Sequence, residues 1–149
     1  MTQIGKINYK EILMSKIIKK KLTIGVIGLG YVGLPLSILF AKKNFKDLGF
    51  DLNKNKIKLI NSGKSYIERI SNKEVKLLSK KGKCFFEFEK IIECDVIIIC
   101  VPTPLKNKDT PDLSFIKKTI ISIKDKLRPG QLLILESTSY PGTTREEVV

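Results

Sequence analysis

With 149 residues, 42% of them hydrophobic, the chain is long enough for one domain with a real core and too short for two. Its 28 lysines and arginines exceed its 15 acids by a net +13, but only Arg69, Arg128 and Arg145 carry arginine's bidentate fork and the lysines are scattered among Ile and Asn, so solvated lysine surface explains the charge better than a nucleic-acid interface. No apolar run approaches the ~20 residues of a membrane span, charges interrupt the first residues where a signal peptide would sit, and no histidine or Cys-x-x-Cys pair offers a zinc site, which together predict a cytoplasmic protein with reduced cysteines.

In chain order, residues 1–21 form a leading segment in which apolar side chains recur near i, i+1, i+4 and i+5, predicting a short amphipathic helix. Residues 22–27 are the first strand. The strand runs into Gly28, Gly30 and Gly33, spaced Gly-x-Gly-x-x-Gly, and then into a helical stretch whose first turn accommodates Pro35 without breaking an intrahelical bond. Strand, glycines and helix in that order make a dinucleotide-binding turn. The first glycine permits the tight turn, the second lets backbone approach a pyrophosphate, and the third lets helix and strand pack closely, with free helix N–H groups toward the phosphates. Leu48-Gly49-Phe50 then ends in Asp51, an acid about 20 residues further on, placed to accept from the adenosine ribose hydroxyls and to repel the extra phosphate of NADP. NAD is therefore the predicted cofactor. The competing account, a glycine-rich turn in an ordinary α/β protein with Asp51 as a helix cap, leaves the agreement of all four features to chance.

Residues 54–61 carry Ile57 and Ile60 at helical spacing, and Asn61-Ser62-Gly63 supplies a stop. After a loop over 64–70, Ser71 and Glu74 form a capping box for a helix that Gly82 closes. Residues 84–88 are a third strand, 89–93 a short turn or helix, and 95–101 an unbroken apolar strand of the kind buried on both faces of a parallel sheet. Pro102-Thr103-Pro104 stops that strand, Asp112 caps a helix to about residue 127, and a fifth strand over 131–136 leads to a loop and a last helix from Thr143. The alternation predicts an α/β, Rossmann-type doubly wound parallel sheet over 22–149, ending after its fifth strand and the start of the next helix, as the front portion of a longer protein would.

Ligands of such sheets bind outside the carboxyl ends of the strands, which selects the loops at 28–33, 101–104 and 136–142. Thr103 and Thr138 can each offer a hydroxyl to the cofactor or hold a water near the site of hydride transfer; the alternative is loop capping. Cys84, Cys94 and Cys100 read as small hydrophobes in or beside buried strands rather than as reactive thiols.

These loops, together with residues 24–36, Ser65-Tyr66-Ile67-Glu68, Thr110-Pro111-Asp112-Leu113-Ser114 and Glu136-Ser137-Thr138-Ser139-Tyr140-Pro141-Gly142-Thr143-Thr144, resemble the UDP-glucose/GDP-mannose dehydrogenases over nearly the whole chain. The Ser-Tyr-Ile-Glu and Glu-Ser-Thr-x-Tyr-Pro-Gly-Thr-Thr stretches look most like the bacterial UDP-N-acetylglucosamine 6-dehydrogenases of surface-polysaccharide synthesis. The resemblance implies oxidation of the C6 alcohol of a UDP-sugar to a carboxylate with two NAD, through a cysteine-bound thiohemiacetal, and a homodimer or larger assembly of the full-length form. Carried over by motif, Gly28, Gly30, Gly33 and Asp51 hold the adenosine diphosphate half, with Tyr31 and Val32 from the same turn, and Lys56 is the basic cofactor contact. Pro102 and Thr103 lie near the cofactor, and Thr138 near the reacting carbon and its water.

The family's nucleophilic cysteine sits in a Gly-Gly-Ser-Cys segment with no counterpart here, so the resemblance implies a cofactor-binding portion that is inactive alone. Asn44 stands where the family commonly turns with glycine, and Asp47 falls inside the second strand. An unpaired buried carboxylate is costly, so Asp47 either marks the exposed start of that strand or packs less well than its relatives. Two other readings stay open: a hydroxyacid dehydrogenase of the 6-phosphogluconate type, which shares a similar glycine turn, and a stand-alone NAD-binding or interaction module.

Overall fold

Apolar runs too short for helices pair into a parallel sheet in the computed structural model, which describes residues 7–106, 110–139 and 141–145. In chain order the elements are α1 (Tyr9–Ile18), β1 (Thr23–Ile27), α2 (Gly33–Lys42), β2 (Lys46–Phe50), α3 (Lys54–Asn61), α4 (Asn72–Lys81), β3 (Lys83–Phe85), β4 (Val96–Ile99), β5 (Leu105–Lys106), β6 (Thr110–Pro111), α5 (Ser114–Ile123) and β7 (Leu132–Leu135). Short 3-10 helices cover Glu89–Glu93 and Lys124–Lys126. The five-stranded sheet has the order β3-β2-β1-β4-β7, all pairs parallel, which is the Rossmann order through its fifth strand. β5 and β6 form a separate antiparallel pair.

Two apolar layers hold the sheet. On one face Val26, Leu34, Ile60, Val75 and Leu78 join the sheet to α2, α3 and α4; on the other Ile27, Phe50, Ile91, Ile99 and Ile123 join it to α5 and the Glu89–Glu93 turn. β1 and β4 lie between both layers, which explains why their sequences are continuously apolar. Burying each of these large side chains contributes about 1.5–3 kcal/mol. The register sets Ile27 opposite both Phe50 and Ile99, so β1, β2 and β4 end level. Gly28, Asp51 and residues 100–102 consequently emerge side by side.

The Ser71–Glu74 capping box forms as expected, and the Asp112 carboxylate accepts from the Ser114 N–H at 2.9 Å. Several bounds differ. β3 stops at Phe85, and Phe88 turns back to set its ring 5.9 Å from that of Phe50. The fourth strand covers Val96–Ile99, shorter than 95–101, although backbone bonding continues past its start: the Asp95 N–H donates to the Thr23 carbonyl at 2.8 Å and the Asp95 carbonyl accepts from the Leu132 N–H at 2.9 Å. The helix expected to reach residue 127 tightens into a 3-10 turn after Ile123. The leading helix buries none of its residues; Leu13 packs partly, while Ile12, Met14, Ile17 and Ile18 stay exposed. Its anchor is Lys16, 2.6 Å from Asp95 Oδ1, with the Tyr9 ring laid against Gly130. Most of the helix expected from Thr143, and Tyr140 of the preceding loop, lie outside the described residues.

Asn44 adopts a left-handed φ of 65°, a conformation asparagine tolerates better than most residues. Asp47 is not an exposed strand start. Lys46 occupies that position, and Asp47 is completely buried with neither carboxylate oxygen hydrogen-bonded. Among the described residues, no helix is long and apolar enough to cross a membrane.

Candidate functional site

The turn after β1 is shaped by what its glycines touch. Gly28 has φ +91°, and a Cβ there would stand 2.7 Å from the Cys100 carbonyl oxygen, so both conformation and space call for glycine. A Cβ on Gly33 would overlap the Gly28 carbonyl oxygen, because the first turn of α2 lies directly on the end of β1. Gly30 faces open space, with nothing within 4 Å of where its Cβ would be. No side chain caps the first turn of α2, unlike α3 and α4, which Asn53 and Ser71 cap. The turn therefore presents free N–H groups and room for an anion.

Asp51 stands at the neighbouring end of β2. Its Oδ2 accepts from the Leu29 N–H at 3.0 Å and its Oδ1 from the Asn53 N–H at 2.9 Å, while Lys56 Nζ lies 3.4 Å from Oδ2. Those bonds fix the carboxylate's orientation, and its remaining lone pairs stay available to a pair of vicinal hydroxyls. A cleft of about 370 Å³ opens beside it, floored by Ile27 and Gly28 and walled by Phe88, Val101 and Phe115. Lys118, Thr119 and Ser122 of α5 supply its polar rim. An apolar slot ending in a fixed carboxylate, next to a turn of free amides, fits adenine, ribose and pyrophosphate in that order, so these residues suit a dinucleotide.

The structure gathers Gly28, Asp51, Lys56 and Pro102 around one cleft. Tyr31 and Val32 project from the start of α2 and are exposed, Tyr31 to 85%. Thr103 is half-buried beyond Pro102, and Thr138 is exposed beyond the end of β7, outside the cleft. Neither threonine hydroxyl makes a hydrogen bond among the described residues. The Ser137 hydroxyl donates to the Val101 carbonyl at 2.7 Å, tying the loop after β7 to the loop after β4. No motif singles out Phe115, Lys118, Thr119 or Ser122, because a helix face carries no local signature of the cleft it lines.

Residues 22–149 match the UDP-glucose/GDP-mannose dehydrogenase family, NAD binding domain. The chain belongs to this family. Its NAD-binding domain is the unit folded here, and α1 precedes the matched region. Among similar proteins, the UDP-N-acetyl-D-glucosamine 6-dehydrogenase of Pseudomonas aeruginosa is 38% identical over 130 residues, 87% of this chain and 30% of that protein. The UDP-N-acetyl-D-mannosamine dehydrogenase of Pyrococcus horikoshii is 40% identical over 126 residues, covering 83% of the chain and 30% of its own length. The solved structure of the P. horikoshii UDP-D-ManNAc dehydrogenase superposes with a TM-score of 0.78 at 39% identity, over 85% of this chain and 31% of that one. A ternary complex of GDP-mannose dehydrogenase from P. aeruginosa gives 0.76 at 30% identity, over 85% and 30%. The chain thus spans about 30% of the length of the curated relatives it matches.

Proposed function

We propose that this family member is the NAD-binding portion of a cytoplasmic nucleotide-sugar 6-dehydrogenase, which oxidises the C6 alcohol of a UDP-sugar to a carboxylate and assembles as a homodimer or larger when full-length. Alcohol to carboxylate is a four-electron change, so two NAD are consumed in turn, each accepting one hydride when bound. The observation that carries the reading is the fixed Asp51 carboxylate at the end of an apolar cleft, one hydrogen bond away from the glycine turn. In this reading the amides of the Gly28-Gly30-Gly33 turn hold the pyrophosphate, with Tyr31 and Val32 flanking it. Asp51 orients the ribose, and Lys56 both steadies that carboxylate and offsets phosphate charge. Pro102 and Thr103 border the nicotinamide half, and Thr138 positions water or substrate beside it.

The relatives point to an N-acetylated UDP-hexosamine. Their names divide between the glucosamine and mannosamine epimers at similar identity. UDP-N-acetylglucosamine is the proposed epimer, because the Ser65–Glu68 and 136–144 loops resemble that branch. Calorimetric titration of this chain should show NAD binding, NADP binding at least tenfold weaker, and loss of that preference in Asp51→Ala. Tighter NADP than NAD binding would count against the reading. Reduction of NAD followed by absorbance, with a longer polypeptide carrying the cysteine segment, distinguishes the two epimers.

A further inference from the structure

Leu29, between the first two glycines of the turn, is gripped from two directions. Its N–H donates to Asp51 Oδ2 at 3.0 Å, and its carbonyl accepts from the Tyr66 hydroxyl, 37 positions along the chain. Its side chain is fully buried, so the residue cannot turn without leaving the core. Tyr66 is itself held. The flanking Ser65 hydroxyl donates to the Ile67 carbonyl at 2.9 Å, the Ser65 N–H donates to the Asn72 carboxamide at 2.8 Å, and Lys56 Nζ lies 5.5 Å from the Tyr66 ring centroid while reaching the same Asp51 oxygen. Burial, and then the charge of Asp51, push the Tyr66 hydroxyl well above the usual phenol range, so it remains a proton donor at any physiological pH.

Planarity gives this grip a consequence for the ligand. In a trans peptide the carbonyl of one residue and the N–H of the next point in opposite directions. Holding the Leu29 carbonyl toward Tyr66 therefore aims the Gly30 N–H away from Tyr66, and no Cβ on Gly30 crowds the approach to that amide. That N–H has no partner among the described residues. We infer that Tyr66 is a positioning residue for the pyrophosphate: its hydrogen bond to Leu29 fixes the Leu29–Gly30 peptide so that the Gly30 amide is presented to the anion before it arrives. The inference rests on the dinucleotide reading of the turn and adds a residue from the α3–α4 loop that does not itself line the cleft.

The test compares Tyr66→Phe with the unsubstituted chain, titrated with NAD, ADP-ribose and adenosine. The variant keeps the ring and loses only the hydroxyl. NAD and ADP-ribose should bind about fivefold more weakly to it, while adenosine, which has no pyrophosphate, should bind both proteins equally. Unchanged NAD affinity, or an equal loss for adenosine, overturns the inference and leaves the NAD reading standing. Failure of the unsubstituted chain to bind NAD or ADP-ribose overturns both. Should the variant not fold, amide and aromatic NMR spectra of the unsubstituted chain decide: ADP-ribose should shift both the Gly30 amide and the Tyr66 ring signals, adenosine neither, and a Tyr66 ring indifferent to ADP-ribose refutes the coupling.

Discussion

Asp47 of β2 and Ser37 of α2 meet in the buried layer between strand and helix, where neither side chain completes a hydrogen bond. Burial raises the Asp47 carboxyl to about 7, with the nearby Ser37 hydroxyl opposing the shift only in part. A carboxyl raised in the folded state holds its proton there while the unfolded chain releases it. The stability it permits is complete below the unfolded value near 4 and declines as pH rises through about 7. A shift of this size corresponds to a loss on the order of 4 kcal/mol. Asp47→Asn should therefore flatten the fall in melting temperature between pH 5 and pH 8. Asp47→Val, which buries no polar group there, should melt several degrees higher than the parent at pH 8. Parallel melting curves for parent and Asn variant across that range would show that Asp47 does not titrate on folding.

Asp95 has the opposite sign. Burial acts to raise its pKa, but bonds from Lys16, the Thr23 N–H and Arg128 outweigh it and hold the carboxyl below the usual range. Its contribution is present above the unfolded value and disappears as pH falls through the folded one. Asp95→Ala would also leave Arg128 and the Thr23 N–H short of an acceptor. A loss of about 2 kcal/mol is expected in urea unfolding at pH 7, tempered because Lys16 and Arg128 are each about a third exposed. The difference from the parent should shrink toward pH 3.

Gly33→Ala places a methyl group on the Gly28 carbonyl oxygen. Since the oxygen belongs to backbone and the methyl is fixed directly to the Cα of α2, relief requires α2 to lift from β1. Binding of NAD should be lost and the melting temperature should fall. An Ala variant that binds NAD like the parent would show that the helix can shift without disturbing the turn.

Burial pushes the Cys84 and Cys94 thiols up to about 12 and the Cys100 thiol up to about 11. At pH 8 all three are thiols, enclosed in the core, and the thiolate is the reactive form. Ellman's reagent should therefore label the folded chain slowly and all three sites quickly in denaturant. Rapid labelling of one site in the folded protein would identify an opening of the sheet at that strand.

The strand-turn-helix at residues 22–40, the Ser71–Glu74 box and the doubly wound order were legible because each is written in neighbouring residues: period, capping chemistry and glycine spacing act over a few positions. Element ends were less legible. β3 stops at Phe85 although Phe86 and Phe88 have equal strand preference, because Phe88 gains more by packing on Phe50.

By itself the sequence determined that residues 28–33 form a dinucleotide turn and that Asp51 follows it, since glycine's missing Cβ and the length of one βαβ unit are local facts. Only the tertiary structure decided what surrounds that turn. The grip of Tyr66 on Leu29, the wall that α5 gives the cleft, the tie from Ser137 to Val101 and the enclosure of Asp47 all join residues distant in the chain. Such contacts follow from strand order and register, which bring separated segments to the same end of the sheet, and no local spacing encodes them.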